Sequence, residues 1–99
     1  MKTLIFSNEY FVFYSETTEN DTIYSVEDIA NVKENYGISL IVHASEAKKY
    51  VSLFSIDIRA REFFKYTVAK DFSNVIDSTT EFAKRIRDYL VDKGFYVDF

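Results

Sequence analysis

Few residues in this chain have types that do chemistry, and they are scattered. His43 is the only histidine, so an imidazole general base, proton shuttle or metal centre would have to be built around it. It sits between Val42 and Ala44 in the apolar run ISLIVHA, residues 38–44. That run reads as a buried strand, where a lone imidazole is expected to be structural and bonded to a neighbour. Ser39, Ser45, Ser52 and Ser55 bring hydroxyls nearby, but no tight glycine turn presents any of them as a nucleophile. Asp57 and Arg59, two positions apart on one face of a strand pattern, read as an ion pair rather than a carboxylate dyad.

Metal and cofactor chemistry finds no better footing. There is no cysteine, which removes thiolate metal sites, disulfides and a thiol nucleophile together. The stretch ETTENDT, residues 16–22, offers Glu16, Glu19 and Asp21, but it lacks the alternating oxygens, central glycine and closing glutamate of a calcium loop. Thr, Asn and Asp favour turns by bonding their own backbone, so this stretch reads as a solvated loop. With two glycines, at 37 and 94, and no proline, there is no phosphate-cradling loop and no linker. The expectation is no catalytic residue, no cofactor and no metal.

Charge is more informative. The formal net charge is -4. Residues 1–47 carry Lys2 and Lys33 against Glu9, Glu16, Glu19, Asp21, Glu27, Asp28, Glu34 and Glu46, whereas the remaining residues carry a small basic excess. Carboxylates concentrated in one half could face a basic partner, imitating part of the field of a nucleic acid, which carries about one negative charge per 1.7 Å of duplex axis. They also keep an aromatic-rich domain soluble. Direct nucleic-acid binding is disfavoured by a pI near 4.9. Its one support is the basic-aromatic cluster Arg59, Arg61, Lys65 and Lys70 beside Phe63, Phe64 and Tyr66.

The elements that position these groups follow from periodicity. Residues 3–7 and 9–15 are strand-like, with Ser7, Asn8 and Glu9 as a turn or bulge between them. In the second run Phe11 and Phe13 share one face, and Tyr10, Val12 and Tyr14 share the other. Ser25, with Asp28 in a short capping box and Gly37 as the stop, predicts a helix over about 26–36. Residues 38–44, 50–59 and 62–69 predict three strands in a meander. Ser78 with Glu81 predicts a helix over about 78–93, apolar at Phe82, Ile86, Tyr89 and Leu90 and closed by Gly94. Phe95, Val97 and Phe99 then alternate as a final strand over 95–99. The expected fold is α+β: a mostly antiparallel sheet of about five or six strands, with two helices, the C-terminal one packed on the sheet.

At 99 residues this is one compact domain over 1–99, with 47% hydrophobic and 28% charged residues, able to bury a core but with little volume for an enclosed active site. The apolar run after Lys2 ends at Ser7, too short for a secretory signal, and no stretch reaches a membrane span. A cytoplasmic protein that does not enter membranes is expected. Phe, Tyr, Met, Ile, Asn and Lys make up 41 of the residues, against 12 Gly, Ala, Arg and Pro. This resembles translation from an AT-rich genome, as in many bacteriophages, whose small acidic proteins often act as stoichiometric inhibitors of host defence or as immunity-type proteins.

The functional expectation is a non-enzymatic protein-binding module. Its partner-binding residues are expected to be Tyr10, Tyr14, Glu16, Glu19, Asp21, Glu27, Asp28 and Glu34, because tyrosine gives large contact area at low entropy cost. Reversing Glu16, Glu19 and Asp21 to lysine is expected to weaken binding without lowering the melting temperature. The alternatives are a structural subunit or homodimer, or the basic-aromatic sheet around Arg59, Arg61, Lys65 and Phe64.

Overall fold

A computed structural model describes residues 1–57 and 69–98. The strands β1 (Lys2–Ser7), β2 (Phe11–Thr17), β3 (Thr22–Asp28), β4 (Ser39–Ser45) and β5 (Tyr50–Asp57) form one sheet in that spatial order. Every neighbouring pair is antiparallel. Two helices accompany them among the described residues, α1 (Val32–Tyr36) and α2 (Ala69–Asp92). The architecture is α+β, an antiparallel sheet with a C-terminal helix on it.

Tight polar turns make the meander. Asn8 Oδ1 accepts from the Tyr10 and Phe11 amides, both at 2.8 Å, and so closes the β1–β2 hairpin. Thr18 and Asp21 close the next one, the Thr18 amide donating to the Asp21 carbonyl at 2.8 Å. Glu16 and Thr17 therefore belong to β2, not to a loop over 16–22 as their polarity predicts. A strand with one face in water keeps its ladder whatever polar side chains line that face.

The core lies between one sheet face and α2. Phe11 and Phe13 are buried there, with Phe11 5.6 Å from Phe82 and Phe13 5.5 Å from Tyr89, ring centre to ring centre. Phe6 joins them, 5.1 Å from Phe13 and 5.3 Å from Phe82, with the Arg85 guanidinium over its ring at 4.3 Å. Along α2 the buried positions Phe72, Val75, Thr79, Phe82, Ala83, Ile86 and Leu90 recur at helical spacing.

Three boundaries differ from the sequence expectation. The predicted helix over 26–36 is only Val32–Tyr36, because Val26, Glu27 and Asp28 continue β3, opposite Phe13, Val12 and Phe11 of β2. Asp28, rather than Ser25, caps it, its carboxylate accepting from the Val32 amide at 2.9 Å and the Lys33 amide at 3.0 Å. The C-terminal helix starts at Ala69, well before Ser78. The apolar stripe continues upstream through Phe72 and Val75, and the Thr79 and Thr80 hydroxyls donate back to the Val75 and Ile76 carbonyls instead of capping. Residues 95–98 pair with no strand among the described residues. Gly94, at φ 90°, ends α2 in a Schellman turn, the Phe95 amide donating to the Leu90 carbonyl at 2.9 Å and the Gly94 amide to Val91 at 3.0 Å. That turn seats Phe95 in the core, 5.8 Å from Tyr24, without any strand pairing. The expected strand over 62–69 falls outside the described residues except for Ala69, which opens α2, and Arg59, Arg61, Lys65 and Phe64 lie outside them too.

Candidate functional site

Register assigns the other sheet face residue by residue. Leu4 lies opposite Tyr14, Tyr14 opposite Ser25, and Ser25 opposite His43, making one row across four strands. The next row is Lys2, Glu16, Ile23 and Ser45. Val12 and Glu27 are paired on the far side of Tyr14. Helix α2 covers the opposite face, and among the described residues no element lies over this one: Leu4 is 61% exposed and Ile41 39%. Isolated exposed apolar residues are ordinary, but here Leu4, Val12, Tyr14, Ile23 and Ile41 share a single face.

Ser25 shapes this surface. With a short side chain between Tyr14 and His43, it leaves a shallow groove of about 280 Å³ lined by Tyr14, Glu16, Thr18, Ile23, Ser25 and His43. The Lys2 ammonium lies 4.8 Å from the Tyr14 ring centre, so the ring already receives a cation from within the chain. Glu16 carries no hydrogen bond or ion pair among the described residues, although Lys2 is its cross-strand neighbour. The His43 imidazole is exposed, likewise without a partner among them. It is not the buried, bonded histidine that its apolar flanks predict, because the strand alternation that buries Val42 and Ala44 turns residue 43 outward.

The expected partner-binding residues separate into two groups. Tyr14, Glu16 and Glu27 lie on the open face, and Glu19 is exposed in the hairpin beside it. Tyr10 is half-buried and packs against the core cluster, 6.4 Å from the Phe11 ring, so it does not extend the Val12–Tyr14 patch. Glu34 is exposed on α1. Asp28 is occupied in capping that helix.

Asp21 is also engaged internally. Its carboxylate accepts from the Ser45 hydroxyl, from the Ala47 amide at 2.8 Å and from the Thr22 amide at 2.7 Å, tying the β2–β3 hairpin to the β4–β5 turn. These bonds, the Ser45 hydroxyl first, hold its carboxyl below the ordinary carboxylate range. Charge reversal at Asp21 therefore reaches the fold as well as the surface, which separates it from Glu16 and Glu19.

A second polar arrangement was invisible in the sequence because its members are far apart in the chain. The buried Tyr24 hydroxyl donates to Glu46 Oε2 at 2.6 Å. Burial, and then this bond, push the Tyr24 phenol well above its usual range, while the same bond lowers Glu46. Lys49 approaches Glu46 at 3.6 Å, lies 5.1 Å from the Phe95 ring centre and donates to the Lys93 carbonyl at 3.2 Å. The cluster joins the C-terminal end of α2 to the β4–β5 turn.

Among the described residues no group of three or more His, Cys, Asp or Glu is placed to hold a metal ion, and no helix is long and apolar enough to cross a membrane. Comparison with family models, with curated proteins and with solved structures finds no match for this chain.

Proposed function

We propose that this chain is a small, acidic, non-enzymatic protein-binding module, a stoichiometric inhibitor by type, that meets a basic protein surface with its open sheet face. The supporting observation is one row, Leu4–Tyr14–Ser25–His43, flanked by the carboxylates of Glu16 and Glu27 on a face that α2 leaves uncovered. Tyr14 and the aliphatic residues supply the apolar contact that stabilises an interface centre, and the carboxylates supply complementarity and steering. Glu19 in the neighbouring hairpin extends the acidic rim.

The test is quantitative capture of a protein partner from host lysate by the wild type and by a Tyr14→Ala, Glu16→Lys, Glu27→Lys variant, with Glu81→Lys on α2 as control. Capture lost in the first variant and kept in the second, at unchanged melting temperatures, supports the reading. Equal capture by all three refutes it. Light scattering separates the competing role: a mass that rises with concentration and falls on Ile41→Ser assigns the face to a second copy of this chain.

A further inference from the structure

The groove between Tyr14 and His43 is specific enough to name what enters it. Its volume of about 280 Å³ lies at or just below the roughly 300–1,000 Å³ of small-molecule sites, and it is open along the sheet. That suits one side chain of a docked protein better than a cofactor. Its walls carry the His43 ring and the Thr18 hydroxyl, and beside them a carboxylate. Glu16 offers two carboxylate oxygens with no internal donor among the described residues, and Ser25 Oγ makes no bond among them either. Tyr14 offers a π face and Ile23 an aliphatic floor.

We propose that this groove receives an arginine side chain from the partner, an inference that rests on the open face being the binding surface. A guanidinium has five donors and no acceptor, and its planar fork matches a carboxylate with two free oxygens. Its flat, weakly hydrated surface stacks on an aromatic ring, and its methylene stem lies on apolar surface. An ammonium could pair with Glu16 but would meet one carboxylate oxygen as a point charge and would leave Tyr14 unstacked. The Lys2 ammonium already lies 4.8 Å from the Tyr14 ring centre, and Glu16, its cross-strand neighbour, has no ion pair among the described residues. Lys2 is also a like charge beside the incoming guanidinium, so it holds back affinity that Lys2→Ala would release.

The experiment is a backbone-amide NMR titration of the whole chain at low salt with N-acetyl-Gly-Arg-Gly-amide, alongside peptides carrying lysine or neutral citrulline at the centre. The arginine peptide should shift the amides of Tyr14, Glu16, Ser25 and His43 saturably, more tightly than lysine, with no response to citrulline. Glu16→Gln should weaken it roughly tenfold, the scale of losing charge-assisted hydrogen bonds. Glu27→Gln, outside the groove, should change it less than about twofold through screened charge alone. Lys2→Ala should tighten it. Equal response to lysine, indifference to Glu16→Gln, or shifts spread over Glu9, Glu19 and Glu34 would each overturn the arginine groove. Capture of a partner that still depends on Tyr14, Glu16 and Glu27 while the peptide fails would refute this inference alone. A peptide that binds while capture ignores the face would refute the proposed function alone.

Discussion

Removing one oxygen tests how β3 is tied to the β4–β5 turn. Tyr24→Phe keeps the ring that stacks 6.1 Å from Phe13 and meets Phe95 edge-on at 5.8 Å, and it deletes only the hydroxyl that donates to Glu46 at 2.6 Å. A hydrogen bond to a charged group contributes about 1.5–3 kcal/mol. Here the Glu46 side chain is 41% exposed and keeps Lys49 at 3.6 Å. Water and the ammonium therefore offset part of the loss, leaving about 1–2 kcal/mol. At about 4–8 °C per kcal/mol for a domain of this size, the melting temperature should fall by roughly 4–16 °C.

The pH dependence sharpens the test. Glu46 is lowered in the fold, so its share of stability is present above the ordinary carboxylate range and is lost as the pH falls through the folded value. Tyr24 is raised, so its share is present below the usual phenol value of 10.0 and is lost as the pH climbs above that. The cost of Tyr24→Phe should accordingly be largest near neutrality and smaller at acid pH, once the pH has fallen through the lowered Glu46 value and the bond is no longer charge-assisted. Urea unfolding followed by circular dichroism, on wild type, Tyr24→Phe, Glu46→Ala and the double variant, gives the coupling directly. A neutral Tyr24→Phe at pH 7 would show that the Tyr24–Glu46 bond contributes nothing beyond ring packing, and an equal cost at neutral and acid pH would show that the Glu46 charge does not strengthen it.

Four further outcomes follow from the same geometry. Asp28→Ala removes the acceptor for the Val32 and Lys33 amides and should cost about 1 kcal/mol by urea unfolding, with Asp28→Asn recovering part. Phe82→Ala empties the centre of the ring cluster, where the side chain is 1% exposed, and should cost about 3–5 kcal/mol, enough to unfold a marginal domain in circular dichroism. Asn31 holds φ 54°, so Asn31→Gly should be close to neutral, whereas Asn31→Val should destabilise by about 1–2 kcal/mol in the same assay. Deleting residues 95–99 removes the buried Phe95 and half of the Schellman turn, and should lower the melting temperature although residues 95–98 pair with no strand among the described residues.

Where sequence reading succeeded, a local period coincided with burial. Phe11 and Phe13 on one face of β2, and Phe82, Ile86 and Leu90 on α2, carry that pattern in their spacing, and the structure buries all five. Reading failed where a local signal had a competitor elsewhere in the chain. Ser25 followed by Asp28 looks like a helix start, but Ser25 gains ladders to both β2 and β4, and Val26–Asp28 continue the ladder to β2. The alternation of Thr22, Tyr24, Val26 against Ile23, Ser25, Glu27 was the signal for β3. That misreading also hid the groove, since Ser25 shapes it only as a strand residue between Tyr14 and His43. Ser78 and Glu81 likewise match a capping box, yet the buried stripe upstream extends the helix through them. The Tyr24–Glu46 bond, spanning 22 residues, has no local trace at all.

The acidity of the first half therefore has two physical uses, and they can be pulled apart. Asp21, Asp28 and Glu46 spend their lone pairs inside the molecule, on Ser45 and two amides, on the α1 cap, and on Tyr24. Glu16 and Glu27 make no such bonds among the described residues and stand on the open face. A carboxylate held by donors loses those bonds when replaced, so its removal must register as stability. A carboxylate held only by water loses nothing in the folded chain, so its removal must register as recognition or as nothing. Lysine at 21 should thus lower the melting temperature, and glutamine at 16, which sets no like charge opposite Lys2, should not, while capture of a basic partner should respond to residue 16. If both substitutions left the melting temperature unchanged, the Asp21 bonds to the β4–β5 turn would carry no stability, and the sorting of these acids into structural and available groups would fail with them.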